Sequence, residues 1–448
     1  MSSIGLLVPD LLRGIMFALP LNIDQKFAFA QVSRLWRELA LGSHTFWSSF
    51  IGGDSKADFY RVPLVLERTG QSIVLHVQFR FIHANNWPAD ILATLVPYVT
   101  RLITLDIEFT APMHAKALLG AALVFPVLQT LRIKSSIYRN VPGLLLTAPV
   151  LRTLDIERVH LTNWDTLLCT SLENIRLCDS PVEMLLEILK RCPRAQRIVL
   201  QTWYPWSGSS IEDSFAAFTS RPLAPALREL ELEVRGSNIS RILQAGFSDV
   251  VLHTLTGRIY NGHRDDDLEV LSHALLSGVG PLVSFNLVDM QELVLHDAAG
   301  RIRRLRCCNG DSCFEVGDVW KYLSIHYNLH ETAREIRIRL EFWDELVGVF
   351  ELHPPQLADG ITLAIQANGN TDFRLPNQIM RLPGLFKVEF RYPMDVDTSS
   401  RALSDVLALI ELPAARKVEL CLGKRKYPTE LLGWLREKHW TICSHCAQ

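Results

Sequence analysis

The strongest constraint on this chain is a short frame that recurs along it. The segments PVLQTLRI from Pro126, PVLRTLDI from Pro149, PRAQRIVL from Pro193, PALRELEL from Pro225, PGLFKVEF from Pro383 and PAARKVEL from Pro413 share one pattern. Each places an apolar residue two positions after Pro, and further apolar residues three and five positions beyond that. The same frame without Pro recurs in LITLDI from Leu102, LENIRL from Leu172 and AREIRI from Ala333. Its central apolar residue falls at Leu105, Leu131, Leu154, Ile175, Ile198 and Leu230, at intervals of 26, 23, 21, 23 and 32 residues.

Periods in the twenties carrying Leu-x-x-Leu-x-Leu mark leucine-rich repeats, each one short strand with a helical or irregular return. One such unit cannot bury its apolar edge, so neighbours must stack. The expected fold class is therefore α/β: a small three-helix element followed by a leucine-rich-repeat-like solenoid with a parallel sheet on its concave face. VEMLLEILKRCP, Val182 to Pro193, supplies a helical return stopped by Cys-Pro. Regularity is in question, because Ser136, Val159 and Ser180 stand where such repeats usually carry Asn or Cys after the strand.

Residues between the inward apolar positions face the open side of the sheet. They read Asp106/Glu108, Arg132/Lys134, Asp155/Glu157, Arg176 and later Glu231/Glu233. The sign alternates over the first four strands, and parallel neighbours ~4.8 Å apart would pair across them. That pattern reads first as a cross-strand charge ladder. It reads second as a recognition surface, with Arg132 and Lys134 as its basic part and Arg337 and Arg339 as another basic spot. The 32-residue interval holds an insertion, Gln201 to Phe215, whose Trp203, Tyr204 and Trp206 are candidate partner anchors or a local cap.

Net charge is −2 over 448 residues with both signs mixed, so nothing pulls the chain as a whole toward nucleic acid or membrane. Hydrophobic content is 48%, yet no run reaches the ~18 apolar residues of a membrane span. Asp10 and Arg13 interrupt the apolar N-terminus, unlike a secretory signal. Nine scattered cysteines fit a reduced compartment, so the expected location is intracellular, cytoplasmic or nuclear. Nucleophile-elbow, phosphate-loop and zinc-protease motifs are missing, and no enzymatic role is expected. Cys443-x-x-Cys446 with His445, the cluster Cys307, Cys308 and Cys313, and the pair His326/His330 fall short of a four-ligand zinc set, so neither metal nor cofactor is expected.

The first fifty residues read as three short helices. Pro9 suits a first turn and Pro20 ends that helix, with Val8, Leu11, Leu12, Ile15, Met16 and Leu19 on one stripe and Phe17 nearly opposite. Asn22 and Gln25 form a capping box for the second helix, which carries Ile23, Phe27, Ala28, Phe29 and Val32. Ser33 caps the third, Arg34 to Leu41, which Gly42 ends. Trp36, Leu39 and Ala40 share one face of it.

The order Val8-Pro9-Asp10-Leu11-Leu12, Ile15-Met16, Leu19, Val32-Ser33-Arg34-Leu35-Trp36-Arg37-Glu38-Leu39-Ala40 and Trp47 resembles an F-box. It departs from that family's pattern at Val8 for Leu, Asp10 for Glu and Ser33 for Cys. VPLVLERTGQSIVLHVQF, Val62 to Phe79, resembles the segment that follows in F-box proteins of mushroom-forming fungi: a helix stopped at Gly70, then an alternating strand. The resemblance implies binding to Skp1, and through it a cullin, by Pro9, Leu11, Leu12, Ile15, Val32, Trp36 and Leu39. It implies an F-box at 1–50, a helix–strand spacer at 51–90 and an irregular repeat solenoid with a C-terminal cap at 91–448. The implied role is substrate recognition for a Skp1–cullin–F-box ubiquitin ligase, with an unknown protein substrate on the repeats. The alternative is a non-ligase scaffold or a ligand-binding repeat protein.

Overall fold

The computed structural model describes residues 9–18, 21–52, 56–81, 94–110, 123–141, 146–161, 164–180, 183–202, 225–234, 238–247, 251–259, 273–289, 292–307, 316–352, 354–355, 360–366, 376–382, 384–391, 400–412, 417–422 and 429–443. The chain is α/β and forms two compact units, residues 1–229 and 230–448.

The first unit opens with α1 (Pro9–Ala18), α2 (Ile23–Gln31), α3 (Arg34–Leu41) and α4 (His44–Ser48). The caps fall where the sequence places them. Asn22 and Gln25 exchange side-chain and backbone hydrogen bonds at 2.8 and 3.0 Å, and the Ser33 hydroxyl accepts from the Trp36 N–H at 3.3 Å. Strand β1 (Ser49–Gly52) and helix α5 (Lys56–Arg68) follow. Gly70 stops the turn after α5 at φ +68°, a conformation that side chains with a Cβ rarely adopt.

Six strands then run in chain order: β2 (Leu75–Phe81), β3 (Leu102–Phe109), β4 (Thr130–Val141), β5 (Thr153–Leu161), β6 (Asn174–Cys178) and β7 (Arg197–Thr202), with α6 (Met184–Arg191) as a helical return. Each pairs with the next in parallel, and β1 pairs with β2. The repeat frame sets their register: Leu105 faces Leu131, then Leu154, Ile175 and Ile198. All five are 2% exposed or less. The first apolar residue of each frame (Leu128, Leu151, Leu172 and Ala195) is fully buried under the turns.

A backbone ladder links those turns, from Gln129 N–H to Ile103, Arg152 to Gln129, Glu173 to Arg152 and Gln196 to Glu173, all at 2.8–2.9 Å. Stacking thus satisfies the backbone groups that a lone repeat would leave unpaired. Left-handed backbone occurs at Arg158 (φ 57°), inside β5, and at Asp179 (φ 64°), just after β6.

Strand β8 (Glu229–Val234) begins at the boundary residue, and the second unit continues with α7 (Asn238–Phe247), β9 (Thr254–Ile259), β10 (Leu282–Asp289), β11 (Glu292–Asp297) and β12 (Ile302–Cys307). After them come α8 (Val316–Tyr327), α9 (Leu329–Thr332), β13 (Glu335–Arg339), α10 (Trp343–Leu352), β14 (Ile361–Gln366), β15 (Met380–Arg381) and β16 (Leu385–Arg391). The unit closes with α11 (Ser400–Ala408), β17 (Ile410–Glu411), β18 (Val418–Cys421), α12 (Thr429–Glu437) and β19 (Trp440–Ile442). Its strands pair in parallel from β10 through β13, β14, β16 and β18 to β19, and β9 pairs in parallel with β12. Between them β10–β11–β12 is an antiparallel meander. Among the described residues no helix is long and apolar enough to cross a membrane.

Candidate functional site

Helices α1–α4 pack on one another and on α5, β1 and β2. Leu12 and Met16, four residues apart on α1, are buried with Ile23, Phe29, Ala30, Ala40, Phe46 and Trp47. The Trp47 indole N–H donates to the Ala40 carbonyl at 2.7 Å, and Arg68 lies 4.6 Å over its ring. Helical period, not hydrophobicity alone, decides what enters this core. Ala28 of α2 and its C-cap Val32 point out, while Lys26, three residues after Ile23 and four before Ala30, points in.

The residues with an implied adaptor role divide accordingly. Leu11 is 58% exposed, Ile15 39% and Val32 56%, whereas Leu12 is fully buried. Trp36 and Leu39 are half-buried, Trp36 with its ring 4.2 Å from that of Phe29. Pro9 begins α1. Helix α1 packs on α3, and α3 adds Leu35 and Leu41 to the exposed apolar side chains. A five-helix start to the unit therefore leaves several large aliphatic groups in water after filling its interior.

The second candidate surface is the outward face of β3–β6. Asp106 faces Arg132, which faces Asp155, which faces Arg176; Glu108, Lys134 and Glu157 form a parallel row. Lys134 lies 3.5 Å from Glu157, and Arg176 lies 3.2 Å from Asp155 and 3.5 Å from Glu157. Lys134 is thus engaged within the sheet and not offered as a lone cation. Burial raises the Asp106 pKa, opposed by Arg132 and reinforced by Glu108 and Asp155. Arg337 and Arg339, read from sequence as a basic spot, hold Glu335 and Glu341 at 2.7 and 3.1 Å. Trp203, Tyr204 and Trp206 lie outside the described residues.

A cleft of about 500 Å³ lies in the first unit, where Phe17, Lys26, Phe46 and Phe50 meet His76, Thr104, Asp106 and Arg132. Lys26 is 4% exposed and donates to the Phe46 carbonyl. Burial lowers its pKa to about 8. Its position on the inward stripe of an apolar helix was the signal. Among the described residues no group of three His, Cys, Asp or Glu side chains is placed to hold a metal. His445 and Cys446 lie outside the described residues. No family model matches the chain, and no curated protein matches it either.

Proposed function

We propose that the chain is the substrate-recognition subunit of a Skp1–cullin–F-box ubiquitin ligase. In this reading α1–α3 are an F-box that docks Skp1, and the repeats form a solenoid that holds a protein substrate. One observation carries it: Leu11, Ile15, Val32 and Leu35 stay exposed although Leu12, Met16, Ile23, Phe29 and Ala40 of the same segment are buried. Covering such side chains contributes about 1.5–3 kcal/mol each, which makes them suited to a permanent partner. Their order in sequence is that of the F-box resemblance.

The chain itself does no chemistry in this scheme. It raises the local concentration of substrate lysines near the charged conjugating enzyme, in the cytoplasm or nucleus. The outward charge rows of β3–β6 and the aromatic insertion at Trp203, Tyr204 and Trp206 are the two surfaces proposed for the substrate. Since Lys134 is held by Glu157, Arg132 is the stronger of the two basic candidates.

The test is affinity purification of the full chain from cells with the proteasome blocked. Skp1 and a cullin should be recovered together. Leu11→Asp should abolish recovery of both, because an unpaired carboxylate buried in the contact costs several kcal/mol. The substitution leaves the fold intact, since Leu11 is exposed in the chain alone. Skp1 without a cullin would favour the scaffold alternative, and no Skp1 at all would refute the reading.

A further inference from the structure

The cleft beside Lys26 combines features that the adaptor reading does not use. Its volume of about 500 Å³ lies within the ~300–1,000 Å³ range of small-molecule pockets. Apolar rings of Phe17, Phe46 and Phe50 line one part, and polar groups of β2, β3 and β4 line another. Phe17 is 55% exposed, an aromatic ring left at the cleft without a full covering.

The charges there do not balance. Lys26 is nearly fully buried, and among the described residues its ammonium meets the Phe46 main-chain oxygen and the Phe46 ring, 4.2 Å from the ring centroid. Among the described residues no carboxylate lies within ion-pair distance of it. An ammonium has three donors, so two remain for an acceptor. Burying an unpaired charge is unfavourable by several kcal/mol unless something compensates it. Elsewhere in the cleft Asp106 and Arg132 carry opposite charges at facing register positions, and the His76 ring is bonded to the Thr104 hydroxyl at 2.9 Å. Lys26 is the buried positive charge at the edge of this aromatic-walled space.

We propose that this cleft binds a small amphipathic monocarboxylate, its carboxylate on Lys26 and its apolar body against Phe17, Phe46 and Phe50. A monoanion fits better than a phosphate dianion, because Asp106 lines the same cleft and repels a second negative charge. The ligand completes the ion pair that the chain leaves open and covers the exposed ring of Phe17. The site is distinct from the exposed Leu11, Ile15 and Val32 and does not rest on the ligase reading.

The test uses the full chain with decanoate, 1-decanol and decyltrimethylammonium in titration calorimetry. Decanoate should saturate one site per chain below about 1 mM, the affinity expected of a probe this size. Decanol should bind about tenfold more weakly or worse, the loss that follows when a charged hydrogen bond is removed. Lys26→Met, close in volume, should bring decanoate down to the level of decanol. Ser49→Trp, at an exposed residue lining the cleft, should block all binding by filling the space. This second variant keeps the test decisive if Lys26→Met fails to fold, which near-ultraviolet circular dichroism reports. Leu11→Asp should bind decanoate as the wild type does, which separates this proposal from adaptor docking. Equal affinity for decanol, tighter binding of the cation, or no saturable decanoate binding would each overturn it.

Discussion

The two units use the same strand grammar with different inward residues. In the first, the frame positions of β3–β7 are aliphatic throughout, from Leu105, Leu131 and Leu154 to Ile175 and Ile198, and they lie side by side. In the second, Leu255 of β9 faces Arg303 of β12, and Gly257 faces Leu305. Arg303 is 4% exposed. Its guanidinium donates to the carbonyls of Leu275, Leu252 and Ile302 at 2.9, 3.1 and 3.0 Å. A buried position beside a frame residue need not be apolar, then, if its polar group is met by main-chain acceptors. Register also loosens there. Val388 and Val418 hold equivalent frame positions, yet Val388 faces Leu420, two residues on. The inward face is kept, because a slip of two preserves side-chain direction where a slip of one would reverse it.

The largest effect that can break this comparison is expected at Arg303. Arg303→Ala removes a buried side chain and three donors together, and each carbonyl left unpaired costs about 1–3 kcal/mol. We expect a loss of roughly 3–5 kcal/mol, measured by chemical denaturation. Burial already lowers the Arg303 pKa to about 10, so the guanidinium is held there against its desolvation cost. Hydrogen exchange should rise first in β9 and β12. If Arg303→Ala behaves like a surface substitution, the carbonyls are served otherwise and the contrast between the units is only one of composition.

Leu154→Ala tests the aliphatic side. This fully buried residue sits between Leu131 and Ile175 in the stack, and its truncation should cost about 2–5 kcal/mol. Asp155→Ala next to it should cost under about 1 kcal/mol, since its pair with Arg176 is partly exposed. Increasing salt should narrow that smaller effect further. Similar thermal shifts for the two variants would undo the assignment of inward and outward positions.

How much of this was legible in sequence follows the same division. The caps at Asn22 and Ser33, the stop at Gly70 and the register of β3–β7 rest on local signals, namely polar caps, a left-handed glycine and a repeated apolar frame. The β10–β12 meander was not read. Its turn is fixed by Asp297, whose buried carboxylate accepts from the N–H groups of Ala299, Arg301 and Gly280 at 2.9, 2.8 and 3.1 Å and from the Arg301 guanidinium at 2.6 Å. Burial alone would raise its pKa, but these donors outweigh it and hold the carboxyl below the usual range. Such a network depends on residues brought together by folding, so no periodicity announces it. The outward charges were read correctly as an alternating series. Which of them would be used up by neighbours, as Lys134 is by Glu157, depends on side-chain reach.

Lys26 and Arg303 sharpen the comparison last, as the two cations buried without an ion-paired carboxylate among the described residues. Arg303 spreads its charge over three carbonyls, whereas Lys26 has one, so Lys26 should yield its proton more readily. Its folded pKa is lowered to about 8 from 10.5. Below pH 8 both the folded and unfolded states hold the proton, and the folded state bears the cost of burying the charge. Above pH 8 the folded state sheds it while the unfolded state keeps it up to 10.5, so this group adds stability as pH rises. Between pH 7 and pH 9 the gain should be about 1.4 kcal/mol, near one pKa unit of linkage. Other groups titrate in that range, so the quantity to measure is the difference between wild type and Lys26→Met. Denaturation at both pH values should show the wild type gaining on the variant by that amount. Saturating decanoate should reverse the trend, because an anion bound to the ammonium stabilises the charged form and fades as the proton leaves. A difference that stays flat from pH 7 to 9 would mean that Lys26 keeps its charge in water-like surroundings, and the case for an open ion pair in the cleft would weaken with it.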